Sequence, residues 1–234
     1  MDLKSSLGAA GFGAENRSTN KVLGAPQLLL DRGMTVEECR AVCTCPDIPL
    51  VPRAFFRVIY ETTFRPFEVL NLLIENWNKG TGELTAVTTK KKYNPKTDQS
   101  VMLPRSMCVI QATNEMLRHV VGNRKKGLVF LNPKSGRQFT LRHFEKVLDH
   151  HATLLNVQRE KAVTPTGRVY RLVSCMALRE AGERHHDQAG GDADTSARAA
   201  GHSKEVKARH YKKVGFEEAQ ESYRRFHPAF TQKW

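Results

Sequence analysis

Apolar residues recur at helical spacing along most of this chain, with one interruption of β-branched, alternating sequence. Thr35-Val-Glu-Glu38 has capping-box spacing, the threonine hydroxyl accepting from the Glu38 backbone while the carboxylate reaches back, so a helix is expected to begin there. Phe55, Phe56, Val58 and Ile59 predict a second helix from about Arg53 to Glu61. A third is expected after Arg65-Pro66, because proline is tolerated in a first turn; Val69, Leu70, Leu72 and Leu73 supply its buried stripe.

The pattern changes at Gly80. Glu83–Thr89 reads as a strand and Ser100–Leu103 as a second, joined by a polar stretch with Lys90, Lys91, Lys92 and Lys96, which predicts a β-hairpin with a basic tip. Helical spacing returns over Ile110–Val121 and Phe139–Leu155, separated by the turn Asn132–Gly136, and again over Val169–Ala181 and Phe216–Phe226. Gly182–Ala200 has few large apolar residues and reads as a loop or a weakly packed helix. The pattern as a whole is α+β: a mainly α-helical domain with a small antiparallel β-hairpin. Residues 1–33 lack a sustained period and read as a flexible leader, 34–214 as the folded domain, and 215–234 as a C-terminal helix and tail.

Composition narrows the function. The 234 residues carry 37 Lys+Arg against 24 Asp+Glu, a net charge of +13, with 40% hydrophobic residues, so a basic protein with a real core is expected. Five cysteines form no regular framework, which points to a reducing, intracellular compartment. No run of uncharged apolar residues is long enough to span a membrane. The excess charge points to a polyanionic partner, double-stranded DNA first, since basic side chains on phosphates gain affinity by releasing condensed counterions. Cys39, Cys43 and Cys45 stand at no recognised finger spacing and read as packing thiols rather than zinc ligands. His150-His151 and His185-His186-Asp187 read as solvated or DNA-facing groups.

Four separated fragments share one further pattern. They are Tyr60–Leu72 around Arg65-Pro66, the basic hairpin Thr88–Pro104, Val163–Arg171 with Leu178–Gly182, and Gly201-His202-Ser203 followed nine residues after the histidine by Tyr211. In order and spacing these resemble the catalytic domain of the tyrosine recombinase, or phage-integrase-like, superfamily. The resemblance implies a DNA recombinase that cuts and rejoins strands through a covalent 3′-phosphotyrosyl link at Tyr211, as enzymes of mobile elements do. It places Arg65 and Arg171 as the two catalytic arginines, His202 as a donor to the same phosphate, and a hairpin lysine as the acid for the leaving 5′ oxygen. Lys90 is the first choice for that acid, and Lys96 the alternative. Where the family motif has a histidine with two residues between it and its arginine, this chain has Arg168, which cannot accept a proton and is expected to bind phosphate.

The chemistry of these residue types agrees. Planar guanidinium forks suit a pentavalent phosphate carrying spread negative charge, a tyrosine is a competent oxygen nucleophile, and neither metal nor nucleotide cofactor is needed. Nine residues of unbroken helix would turn the chain by about 900° and set His202 and Tyr211 roughly 13 Å apart on opposite faces, so a break near Ser203–Glu205 is expected. Lys204, Lys207, Arg209 and Lys212, with Lys91, Lys92 and Lys96, are the expected DNA-backbone contacts. The amphipathic Phe216–Phe226 segment either closes its own core or docks on a neighbouring protomer; the resemblance implies the second, in a homo-tetramer on DNA. Two other readings stay open: a type IB-like topoisomerase with the same chemistry, and an inactive DNA-binding descendant.

Overall fold

The computed structural model describes residues 27–28, 32–87, 92–94, 99–101, 104–201, 216–232 and 234. The chain divides into two compact units, residues 32–159 with 172–234, and a smaller one comprising 1–31 with 160–171. In the smaller unit β1 (Gln27–Leu28) pairs antiparallel with β7 (Glu160–Val163), and β7 with β8 (Val169–Arg171). Two residues of the expected leader are therefore strand.

The larger unit starts as its sequence predicts. Thr35 caps α1 (Val36–Thr44) with both halves of the capping box in place, and Glu38 also takes a forked ion pair from Arg32. Its carboxyl is held down at about 2, chiefly by that Arg32 hydrogen bond. The next helix, α2 (Leu50–Thr62), is buried along nearly its whole length. Phe55 stacks on Phe144 of α5 (Leu141–Leu154) with ring centroids 3.9 Å apart, and Phe130 meets Phe55 edge-on. Glu61 of α2 accepts from Arg57, from the Thr113 hydroxyl at 2.7 Å and from the Ile110 backbone, pinning α4 (Gln111–Val121) to the core. Burial pushes the Glu61 carboxyl up despite these partners.

The strands depart from expectation. The main three-stranded antiparallel sheet runs β2 (Trp77–Asn78), β3 (Glu83–Val87), β6 (Pro104–Cys108), with Leu84 opposite Met107 and Ala86 opposite Arg105. Ser100–Val101 belongs instead to β5 (Gln99–Val101), which pairs with β4 (Lys92–Asn94) in a separate ladder. Pro104 is a strand's first residue, where a missing N–H is tolerated, so the strand begins at the residue that seemed to end it.

Two helical expectations also change. Val169–Arg171 is strand, and the helix after it, α6 (Cys175–Gln188), starts only where the Ser174 hydroxyl accepts from Ala177 N at 3.0 Å. That helix runs on through Gly182–Gln188, and α7 (Ala193–Ala200) follows, capped by Asp192, so of the two readings of Gly182–Ala200, loop or helix, the segment is largely helix. Gly182 is where α6 crosses α2: a Cβ there would sit 2.3 Å from the Tyr60 carbonyl oxygen. The C-terminal segment, α8 (Phe216–Phe226) and α9 (Pro228–Thr231), packs on its own chain against α7 and β6. Ala219 and Tyr223 are buried, Gln220 donates to the Ser106 carbonyl, and Trp234 stacks on Tyr60. Among the described residues no helix is long and apolar enough to cross a membrane.

Candidate active site

The site grows from the end of α7. Its last residues are small alanines, and Gly201 closes the helix in the left-handed conformation at φ +65°, donating its N–H to the Ala197 and Arg198 carbonyls. Helix ends leave carbonyls unpaired and carry partial negative charge, which favours cations. Here three consecutive carbonyls each receive a different arginine. Arg105 donates to Ala199, Arg179 to Ala200 at 2.6 Å, and Arg65 to Gly201 at 3.3 Å.

Each arginine arrives on its own element. Arg65 precedes α3 (Pro66–Leu70) and donates from both backbone and side chain to Glu68, at 2.8 and 3.0 Å. Arg105 reaches in from β6 to the other side of the Glu68 carboxylate, with its guanidinium 5.0 Å from the Phe64 ring centroid. Arg179 lies on α6, and its Nε donates to the Thr63 carbonyl at 2.9 Å. Thr63 itself has φ +54°, a left-handed cap on α2 that turns the chain towards Arg65.

Two of the three guanidiniums pair with Glu68, and the third, Arg179, donates to main-chain carbonyls beside them. Desolvation lowers Arg105 to about 10, helped by repulsion from Arg179 and Arg65. Desolvation and then Arg65 lower Arg179 in the same way. Burial works to raise the Glu68 carboxyl, but Arg105 and Arg65 overcome it and hold it below the usual range. The site therefore carries an excess of two positive charges among these four groups, in largely buried surroundings. Such a cluster is suited to a phosphate oxygen, because planar forks match its geometry.

The expected site residues are distributed as follows. Arg65 stands in the cluster. Arg168 and Arg171 lie in the smaller unit, on or beside β8, exposed, with the Arg168 guanidinium over the Tyr170 ring. The guanidiniums gathered with Arg65 are instead Arg105 and Arg179. Lys92 lies on β4. Lys90, Lys91, Lys96, His202, Lys204, Lys207, Arg209, Tyr211 and Lys212 lie outside the described residues, as does the expected break near Ser203–Glu205. Cys39 and Cys43 are buried, and desolvation pushes both thiols up. His185 and His186, expected at the surface, are buried instead: His185 Nδ1 meets the Tyr60 hydroxyl at 3.0 Å, and His186 bridges Ser196 and Ser222. His186 stacks on Tyr223, which stacks in turn on His227, while His185 meets the Tyr60 ring edge-on, so both pack in the interior.

In sequence, the chain matches no protein-family model and no curated protein. Solved structures do match. The integrase from mycobacterium phage Brujita superposes with a TM-score of 0.60 at 13% identity, over 85% of this chain and 59% of that one. The XerA recombinase gives 0.54 at 15% identity, over 84% of this chain and 65% of that one. The Tn1549 transposon integrase in complex with transposon right end DNA gives 0.56 at 11% identity, over 83% and 65%. The chain has a tyrosine-recombinase-like fold. It spans less than two thirds of the length of these three structures.

Within this recombinase-like fold, sequence reasoning missed Arg105 and Arg179. A signal for Arg179 was present: Ser174 is a good N-cap, and a helix begun there puts Leu178-Arg179 one turn in, facing the chain that leads to Gly201. Nothing in the sequence marked Arg105, because its partners Glu68 and Ala199 are distant along the chain.

Proposed function

We propose that this chain is a site-specific DNA recombinase catalytic domain that breaks and rejoins double-stranded DNA through a phosphotyrosine at Tyr211. The carrying observation is the meeting of Arg65, Arg105 and Arg179 at three successive carbonyls of α7, directly before Gly201-His202-Ser203. The same fold is found in proteins described as integrases and recombinases, one of them in complex with transposon DNA.

In this reading the scissile phosphate lies against Arg65 and Arg179. Arg179 takes the role first given to Arg171, since it shares the α7 terminus with Arg65. The local excess of two positive charges balances a phosphorane that develops two negative ones. The Tyr211 hydroxyl releases its proton to solvent as its oxygen attacks phosphorus, the bond to the 5′ oxygen breaks, and a hairpin lysine, Lys90 or Lys96, protonates that oxygen. His202 donates to a nonbridging oxygen. Arg168 and Arg171, with Lys204 and Lys207, grip backbone phosphates. The assembly is a homo-tetramer on DNA in which residues 215–234 leave their own core and dock on a neighbour.

The test uses a suicide duplex, nicked so that cleavage traps the protein. Wild type should form a covalent adduct that Tyr211→Phe and Arg179→Ala abolish, while Arg171→Ala keeps it. An adduct lost in Arg171→Ala but kept in Arg179→Ala reverses the arginine assignment. One observation favours a second reading, a DNA-binding protein without cleavage: with Arg179 as second arginine, the residue in the histidine's place is Met176, whose thioether takes no proton. Binding without an adduct on any duplex selects that reading.

A further inference from the structure

Arg105 is the cluster member that neither motif nor composition predicts. It is 4% exposed, so it lacks the access that a DNA-binding side chain needs. One nitrogen meets Glu68 and another the Ala199 carbonyl, which ties β6, α3 and the end of α7 together at one point. Glu68 would otherwise belong wholly to Arg65. A Cβ on Gly201 would lie 2.8 Å from the Arg105 Cδ and 2.9 Å from its Nε, so the Arg105 side chain is also the surface over which the chain turns towards His202.

We propose that Arg105 is a positioning residue of the phosphate site: by dividing the Glu68 carboxylate with Arg65 and anchoring α7 through Ala199, it leaves the Arg65 fork available to a phosphate and fixes the turn at Gly201. This rests on the recombinase reading of the cluster. Arg105 acts through Arg65 and Gly201 and touches no substrate.

Two variants separate this role from mere structural support. In Arg105→Met, the rate of adduct formation on the suicide duplex, measured on protein shown folded by circular dichroism, should fall about tenfold or more. Affinity for the uncleaved duplex should change by less than about threefold, because Arg105 makes no backbone contact. Arg105→Lys keeps a charge at the site, and should recover part of the rate lost in Arg105→Met. A folded Arg105→Met with the wild-type rate, or a folded Arg105→Lys no faster than Arg105→Met, overturns the proposal. If wild type forms no adduct, the recombinase reading fails separately. Stabilisation by inorganic phosphate then decides for Arg105: the half-saturating concentration should rise about fivefold or more in both variants, and an unchanged value overturns it.

Discussion

Replacing Glu68 by glutamine removes one charge and almost no volume from the centre of the arginine cluster. The carboxylate accepts from the Arg65 backbone at 2.8 Å, from its side chain at 3.0 Å and from Arg105, and is 2% exposed. Glutamine keeps one acceptor but turns an amide donor towards guanidiniums that only donate. Removing one partner of a buried ion pair costs about 3–5 kcal/mol; Arg65 keeps some access to water, so the lower end, about 3 kcal/mol, is expected. For a domain of this size that is a fall in Tm of about 6–12 °C. Urea unfolding followed by circular dichroism measures it. The pH dependence has a definite sign. Because the folded-state value of Glu68 lies below the unfolded one, its contribution is complete above the unfolded value and is lost as pH falls through the folded value. The gap between wild type and variant should therefore stay constant from pH 6 to 8 and narrow below about 4. A loss under about 1 kcal/mol at pH 7 would refute the reasoning, as would a gap that does not narrow in acid.

Two further outcomes follow from the same geometry. His185 donates from Nε2 to the Met34 carbonyl and is pulled down to about 4 by burial and then Arg184; His227 accepts from Ala229 N and is lowered further by burial and its histidine neighbours. Both are neutral when folded and protonate more readily unfolded, so stability should drop as pH falls from about 6.5 to 5, by about 2 kcal/mol from His185 with His227 acting in the same direction; equal urea midpoints at pH 7 and 5 would contradict this. Gly201→Ala forces an alanine into left-handed backbone and against Arg105, and should cost about 1–3 kcal/mol in urea unfolding while lowering adduct formation; unchanged stability would show that the turn at Gly201 relaxes freely.

Local signals carried well into the structure. The Thr35 capping box, the proline opening α3 and the apolar stripes of α2, α4, α5 and α8 each lie where the sequence puts them, because each depends on neighbours within a turn or two. Long-range pairing did not carry. A buried arginine in β6 looks like a surface residue until Glu68 is known to face it, so the strand that belongs to β3 was mistaken for the region beyond the hairpin. Val169, Leu172 and Val173 mimic a helical stripe, and the competing signal, Ser174 as a cap, marks the true start of α6. Shifting that start by six residues leaves Arg171 in a strand and puts Arg179 on the helix. Alanine-rich α7 could be read only as loop or weakly packed helix because small residues leave a weak hydrophobic signature, and small residues are what allow three arginines to approach its end.

The arginines converge on main-chain oxygens of α7, and this makes the length of that helix a ruler. Side chains along α7 can change without altering what the carbonyls of residues 199, 200 and 201 offer. One residue inserted or deleted between Asp192 and Gly201 would rotate those three oxygens by about 100° and re-aim all three guanidiniums at once. Variation in such a protein should therefore run freely only at the exposed positions of this segment, and stop at its small buried residues and at its length.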